Sequence, residues 1–230
     1  MRKFWTFLDN GTYRVGCNGG TLYIYDQNNR ELAKFKDLRY AYTGAFHPSK
    51  NIFALKSTEG ALAFYDLDRM CLLKKIVYTR LGAQDESFAF TPDGRYFLNI
   101  EKPVLSYRTE LTIYDTETFE VVKRMFRDEE TFVLENLEFS KTSPDCFVLG
   151  FLRGEDGVFA VGFIAKLQAD CLTDLCMLPE DLYDYTIWYK RWERSGHTEK
   201  ELEWSHPVLL KASERPHVTL EGIRARRRAA

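Results

Sequence analysis

The sequence has no long apolar run and no strong excess of charge of one sign. The longest apolar runs, 146–152 and 158–165, fall short of the about 18 residues that a membrane-spanning helix needs, so we expect no membrane insertion. The N-terminal stretch MRKFWTFLDNG lacks the apolar segment of a secretory signal, so we expect a cytoplasmic location. The net charge of −2, from 32 basic and 34 acidic residues, gives no reason to expect a nucleic-acid partner.

Cysteine is also scarce, and its spacing predicts neither a disulfide framework nor a metal site. The five cysteines form an odd, scattered set, which is typical of small core residues rather than disulfides. Cys171 and Cys176 are too far apart for the common zinc spacings, although three histidines follow them (His197, His206 and His217). We therefore expect no metal and no cofactor.

Signals for catalysis are missing as well. There is no G-x-S-x-G elbow, and the acidic runs at 127–131 and 154–156 are predicted to lie in solvated loops. GCNGG at 16–20 is not followed by a helical pattern, so it does not suit phosphate binding. We interpret it as a hairpin loop whose glycines permit positive φ, and we predict no catalytic residue.

The sequence does contain a repeat, carried by TLYIYDQNNRELAKF (21–35), ALAFYDLDRMCLLKK (61–75) and ELTIYDTETFEVVKR (110–124). Each copy has a leucine, an alternating apolar residue, a Tyr-Asp pair and a lysine eight residues after the aspartate. The aspartates are Asp26, Asp66 and Asp115, and the lysines are Lys34, Lys74 and Lys123. Agreement at five positions in three copies predicts a recurring structural unit.

A second marker precedes each copy and sets the period. It begins at Phe7, Phe46 and Phe90, and a fourth example begins at Phe139, with separations of 39, 44 and 49 residues. This period suits a four-stranded propeller blade of about 40–50 residues. Within a unit, short segments rich in Val, Ile, Tyr and Phe are separated by turn residues, which is typical of strands.

Three local predictions follow from the repeat. The third strand of each unit is apolar on both faces, so we expect it to be buried between two neighbouring sheets. The aspartate after it is expected to accept backbone N–H bonds in the next turn. The lysine is expected on an exposed edge strand, where its charge discourages pairing with another chain.

The motifs FTPDG (90–94) and LTIYD (111–115) resemble the WD40-like and YVTN-type β-propeller repeats. The resemblance covers about residues 1–178. It implies a propeller fold that presents binding surfaces, and it transfers no catalytic residues.

We therefore predict an all-β protein, a small β-propeller of four or five four-stranded blades whose last blade is degenerate. The expected blades are 1–37, 38–80, 81–128 and 129–178, with a degenerate fifth at 179–222 and a basic tail at 223–230. For the segment after Pro179, a cap over an end blade and an interface with another chain, including a pairing of two incomplete rings, remain open alternatives.

The expected function is a non-catalytic platform for a protein partner, with self-association as a further expectation. Trp, Tyr and Arg anchor interfaces, and the candidate partner-binding residues are Tyr185, Trp188, Tyr189, Arg191, Trp192, Arg194 and Trp204. These rings could instead fill the join between the last and first blades, against Trp5 and Phe7. The alternative function is a small-ligand-binding or hydrolytic, lactonase-like propeller enzyme that uses the central channel.

Overall fold

The described part of the chain consists entirely of β-strands, turns and loops. The computed structural model describes residues 3–80, 82, 87–102, 108–140, 144–153, 159–169 and 171–177. These residues form four four-stranded antiparallel sheets and contain no helix, which confirms the predicted all-β class. Among them there is no helix that could span a membrane.

The four sheets follow one another along the chain, and we call them blades 1 to 4. Blade 1 contains β1 (Thr6–Asp9), β2 (Arg14–Cys17), β3 (Leu22–Tyr25) and β4 (Glu31–Phe35). Blade 2 contains β5 (Ala41–Phe46), β6 (Ile52–Ser57), β7 (Ala61–Asp66) and β8 (Cys71–Val77). Blade 3 contains β9 (Phe88–Phe90), β10 (Tyr96–Glu101), β11 (Glu110–Asp115) and β12 (Val121–Met125). Blade 4 contains β13 (Phe132–Phe139), β14 (Cys146–Arg153), β15 (Phe159–Leu167) and β16 (Leu172–Met177).

The blades stack face to face around their first strands, as in a propeller. Strand β5 contacts β1 on one side and β9 on the other, and β9 contacts β13, so the first strand of each blade is the innermost. Three buried apolar clusters lie between successive blades, one for each of the pairs 1–2, 2–3 and 3–4. This arrangement confirms the predicted small propeller for the four described blades.

Within the described part of the chain, neighbouring blades cover both faces of an inner blade and one face of blade 1. In blade 2, all five residues from Ala61 to Tyr65 on β7 are buried, as predicted for a sheet between two others. In blade 1, Leu22 and Ile24 are buried against blade 2, whereas Tyr23 and Tyr25 on the opposite face are only half-buried. Among the described blades, blade 2 packs on one face of blade 1, so the prediction of burial on both sides is confirmed for one face of this strand.

The repeated aspartates form the predicted turns. In each turn one carboxylate oxygen accepts two backbone N–H bonds: Asp26 from Asn28 (2.9 Å) and Arg30 (2.8 Å), Asp66 from Asp68 (2.9 Å) and Arg69 (2.8 Å), and Asp115 from Glu117 and Thr118 (2.9 Å each). These backbone bonds hold the pKa of Asp115 below its ordinary value, because they stabilise the anion. The Tyr-Asp motif is thus a structural signal.

The repeated lysines lie on the outermost strands β4, β8 and β12, which are sheet edges, as predicted. Each of these strands also carries a β-bulge that the sequence analysis did not predict. The bulge leaves one residue unpaired with the third strand, namely Leu32, Leu73 or Val122. A bulge twists an edge strand away from pairing geometry, so each edge has both a charge and a distortion against association.

Replacing Lys74 with valine should leave the fold intact but increase concentration-dependent self-association, because the β8 edge loses the positive charge of this lysine. The Lys74 side chain is 42% exposed and lies 3.6 Å from the Glu120 carboxylate, an exposed pair that adds little stability. Light scattering over a concentration series measures the effect, with Lys74→Arg as the charge-conserving control. Identical scattering for the valine variant and the wild type would contradict the protective role of the charge.

The two ends of the blades differ, and we name them by their connections. The turn face carries the tight turns between the first two and the last two strands of each blade, for example 26–30 and 66–70. The loop face carries the middle hairpin loops and the inter-blade connections, including 18–21, 36–40, 58–60, 78–80 and 126–131. The acidic run 127–131 lies in such a loop, as predicted, and 154–156 lies outside the described residues.

The GCNGG stretch forms a loop-face hairpin loop, as expected, but its glycines have different roles. Gly19 has a φ of 89°. Gly16 lies within β2, where a Cβ atom would come within 2.8 Å of the Phe4 ring. The absence of a side chain at Gly16 therefore lets the Phe4 ring approach the strand closely.

Candidate functional site

A charged cavity of about 370 Å³ opens on the loop face between blades 2 and 3. It lies near the ends of the outer strands β8 and β12, away from the innermost strands, so it differs from the central channel considered from the sequence. Tyr, Thr, Arg and acidic side chains line it: Tyr78, Thr79, Glu101, Arg108, Thr109, Glu110, Arg124, Arg127 and Asp128.

Strand pairing places two carboxylates side by side at this cavity. Glu101 ends β10 and Glu110 begins β11, and the two residues are directly paired across the hairpin. Their side chains point to the same face as Phe97 and Tyr114, which pack towards blade 2. Like charges directly opposite each other destabilise a sheet, so this pair requires a cation.

Arg124 supplies that cation from the neighbouring strand β12. Its guanidinium donates a hydrogen bond to Glu110 Oε1, and its Nη1 lies 3.8 Å from Glu101 Oε2. This hydrogen bond to the Glu110 carboxylate raises the pKa of Arg124, because it stabilises the charged guanidinium. Arg127 adds a second positive charge, with Nε 3.6 Å from Glu110 Oε2. Arg124 therefore contacts both carboxylates, and Arg127 lies near that of Glu110.

Glu101 is buried and receives donors from its own blade. The Tyr114 hydroxyl donates to Glu101 Oε1 at 2.8 Å, and Asn99 Nδ2 donates to the same oxygen at 3.3 Å. Burial, together with the Glu101 charge, raises the pKa of Tyr114, so its phenol stays protonated and remains a donor. These contacts fix the Glu101 carboxylate in position at the base of the cavity.

The interface between blades 2 and 3 changes from apolar to polar towards the cavity. Phe64, Phe90 and Phe97 form its apolar part. Nearer the loop face, the buried Lys56 ammonium donates to the Ile100 carbonyl at 2.7 Å. It also lies 5.9 Å from the centroid of the Tyr78 ring, which lines the cavity. Such an arrangement keeps a buried charge solvated by protein dipoles and a ring face.

The rim of the cavity is open to solvent. The side chains of Asp128 and Arg127 are 93% and 74% exposed, and Arg108 donates to Glu130. Exposed ion pairs contribute little to stability, because solvent and salt screen them. The rim charges are therefore available to contribute to recognition.

Two exposed aromatic residues lie elsewhere on the loop face. Trp5 is 62% exposed and its ring packs edge-on against Tyr42, with centroids 5.5 Å apart. Tyr40 is 56% exposed and has a φ of 48°, in the left-handed region that non-glycine residues rarely adopt. Its carbonyl accepts bonds from the backbone N–H (3.1 Å) and the hydroxyl (3.3 Å) of Thr58. Tyr40 thus combines an exposed ring with a strained backbone conformation.

The residues predicted from the sequence as a partner site, Tyr185, Trp188, Tyr189, Arg191, Trp192, Arg194 and Trp204, lie outside the described residues. The same is true of His197, His206 and His217. Within the described ranges, no group of three or more His, Cys, Asp or Glu side chains is placed to hold a metal ion.

The cavity was not predicted from the sequence, although the LTIYD hairpin was. The pairing of Glu101 with Glu110 depends on the register of β10 with β11, which the sequence does not specify. Arg124 stands beside the repeated Lys123, where it was treated as part of the edge strand. The one available signal was an acidic residue at each end of a predicted hairpin loop.

Comparison with solved structures supports the propeller-like fold. No protein-family model matches the chain, and no curated protein matches it. A structure of hydrazine synthase from Kuenenia stuttgartiensis matches with a TM-score of 0.58 and 15% identity, covering 74% of this chain. The match spans 52% of that chain, about half its length. In all, 986 chains of solved structures match, so the likeness indicates a widespread fold and no particular activity.

Proposed function

We propose that this protein is a non-catalytic, WD40-like binding module of the cytoplasm that engages a protein partner through its loop face. The observation that carries this proposal is the exposure of Trp5 and Tyr40, 62% and 56%, on the same face as a charged cavity. Trp, Tyr and Arg are the residue types that dominate interface energetics. The Trp5 ring packs against Tyr42 and the Tyr40 carbonyl is bonded to Thr58, and such prior ordering lowers the entropy lost on association.

The backbone at Tyr40 supports a functional role for this ring. A left-handed conformation for a bulky residue costs about 1–3 kcal/mol, and such strain occurs at binding sites more often than elsewhere. Two bonds from Thr58 to the Tyr40 carbonyl hold the backbone in this conformation.

The cavity adds charges of both signs to the same face. Arg108 and Arg127 stand with Asp128 at the rim, while Glu101 and Glu110 lie deeper. Complementary charges across an interface contribute mainly to specificity and association rate. A partner surface carrying both an acidic and a basic group would match this arrangement.

The test compares variants on the two faces by affinity purification from cells with quantitative mass spectrometry. Tyr40→Gly removes the ring and relieves the positive φ, so folding should be preserved. Asn29→Gly is the matched control, because Asn29 has a φ of 62° on the turn face. We expect a Trp5→Ala/Tyr40→Gly variant to lose specific partners at least tenfold, while Asn29→Gly retains them. Equal retention by both variants would refute the loop-face proposal.

A second candidate, small-ligand binding, rests on the size of the cavity. Its volume of about 370 Å³ falls within the about 300–1,000 Å³ typical of ligand pockets. Thermal shift of the purified protein against a metabolite library tests it, with Arg127→Glu as the cavity variant and Arg69→Glu as the turn-face control. A stabilising compound whose effect is lost in Arg127→Glu alone would favour this function over a protein partner.

A further inference from the structure

The face of blade 1 that points away from blade 2 carries an aromatic patch, formed by Phe4, Phe7, Tyr23 and Tyr25. The Phe4 ring centroid lies 5.6 Å from that of Phe7, 5.8 Å from Tyr23 and 6.3 Å from Tyr25. Phe7 is 40% exposed. Contiguous apolar surface of this kind usually marks a contact with another element or chain.

The backbone beneath the patch is adapted to it. Gly16 is paired with Phe7 on β1 and with Tyr23 on β3, so it occupies the middle of this face. A Cβ atom there would meet the Phe4 ring at 2.8 Å. Because Gly16 has no side chain, the Phe4 ring can pack directly on the sheet. The backbone thus accommodates the aromatic patch.

Blade 4 has a second apolar face, opposite the one that packs on blade 3. Val133, Leu149 and Ile164 point to this far face, since their neighbours Leu134, Val148 and Ala165 face blade 3. All three are buried, at 0%, 0% and 3% exposure. None of the three inter-blade clusters includes them, so the packing between the described blades does not account for their burial.

The path of the chain brings its next segment to this far face. Each of the first three blades ends on an outer strand at the loop face, and the chain then starts the innermost strand of the next blade on the uncovered side. β16 ends at Met177 in the same way. The sequence continues for 53 residues after Met177, whereas the strands of a described blade span 30 to 46 residues.

We infer that residues 179–222 occupy the space between the far face of blade 4 and the aromatic patch of blade 1, and so close the ring within one chain. Residues 179–222 number 44, within the 30 to 46 residues that the strands of a described blade span. Its stretch LYDYTIWYKRW, residues 182–192, supplies aromatic side chains that match the patch in chemistry. The inference is independent of the proposed loop-face function.

This assignment has a consequence for the residues first predicted as a partner site. With the segment in this position, Tyr185, Trp188, Tyr189 and Trp192 would be available to pack against blade 1, and their aromatic character would serve ring closure. The same segment then covers the far face of blade 4 and the aromatic patch of blade 1. The loop face remains as the proposed surface for partner binding.

A photo-crosslinking experiment on the full chain tests the assignment. Benzoylphenylalanine at position 7 should form adducts with peptides from 179–222 in the monomer fraction, at least tenfold above those formed from position 122. Val122 is the control because it is 55% exposed on the outer strand of blade 3. Adducts confined to residues 1–177 would overturn the inference. Mixed-isotope adducts between ¹⁴N and ¹⁵N chains would also overturn it, assigning the patch to a second copy.

Truncation gives a second, independent readout. A chain ending at Glu180 should aggregate or lose its cooperative unfolding transition, because both apolar faces become exposed. A chain ending at Gly222, which lacks only the basic tail, should unfold at the wild-type midpoint. A monomeric, cooperative chain ending at Glu180 with an unchanged midpoint would show that 179–222 is an appendage, contrary to the inference.

Discussion

Replacing Glu135 with leucine should lower the free energy of unfolding by about 3–5 kcal/mol, since it leaves the Lys102 ammonium buried without this counter-charge. Lys102 Nζ lies 2.9 Å from Glu135 Oε1, and each side chain is 7% exposed. The pair joins the end of β10 in blade 3 to the innermost strand of blade 4, so its loss weakens a contact between blades. Urea denaturation followed by circular dichroism measures the change.

The double variant Lys102→Met/Glu135→Leu should recover most of this loss, because two apolar side chains of similar size replace a desolvated ion pair. Glu117→Ala is the exposed control, since the Lys50–Glu117 pair on the turn face has side chains 42% and 72% exposed. We expect its effect to stay below about 1 kcal/mol. A double variant no more stable than Glu135→Leu would show that packing, and not the stranded charge, causes the loss.

Phe64→Ala should cost a similar about 3–5 kcal/mol, through lost burial and a cavity between blades 2 and 3. The side chain is completely buried, and its ring centroid lies 5.0 Å from that of Phe97 and 4.7 Å from that of Phe119. Phe97 and Phe119 belong to blade 3, so a single truncation on blade 2 weakens the join between blades. The midpoint of urea unfolding should fall without a second transition, if the blades unfold together.

Phe64→Leu should fall between the wild type and Phe64→Ala, because it keeps much of the buried apolar volume. Val122→Ala, at a side chain 55% exposed on the β12 edge, should change stability by less than about 0.5 kcal/mol. A Phe64→Ala loss as small as that of Val122→Ala would contradict the view that the inter-blade clusters hold the propeller together.

Features encoded within a few residues were predicted well from the sequence. The Tyr-Asp motif predicted both a strand end and an Asx turn, and the carboxylates of Asp26, Asp66 and Asp115 accept backbone bonds as expected. The third strands β3, β7 and β11 fall within the three repeat copies at 21–35, 61–75 and 110–124. Such features depend on hydrogen bonds and side-chain periods that span fewer than ten residues, and these are read directly from the order of residues.

Features that depend on register between strands were not predicted. The pairing of Glu101 with Glu110, and the position of Arg124 between them, require the alignment of three strands. The role of Gly16 depends on Phe4, which comes from before β1 and folds back over the sheet. A shift of one residue in register would move each of these side chains to the opposite face.

The order of residues alone thus specified the repeating unit, its turns and its charged edges, because each is a local hydrogen-bond or periodicity effect. Tertiary packing decided which faces of the blades are covered, where charges meet at the cavity, and which aromatic residues remain exposed. The reason is physical: similar units acquire different surroundings from their position in the stack, so that among the described blades an inner blade packs against two neighbours and blade 1 packs against one.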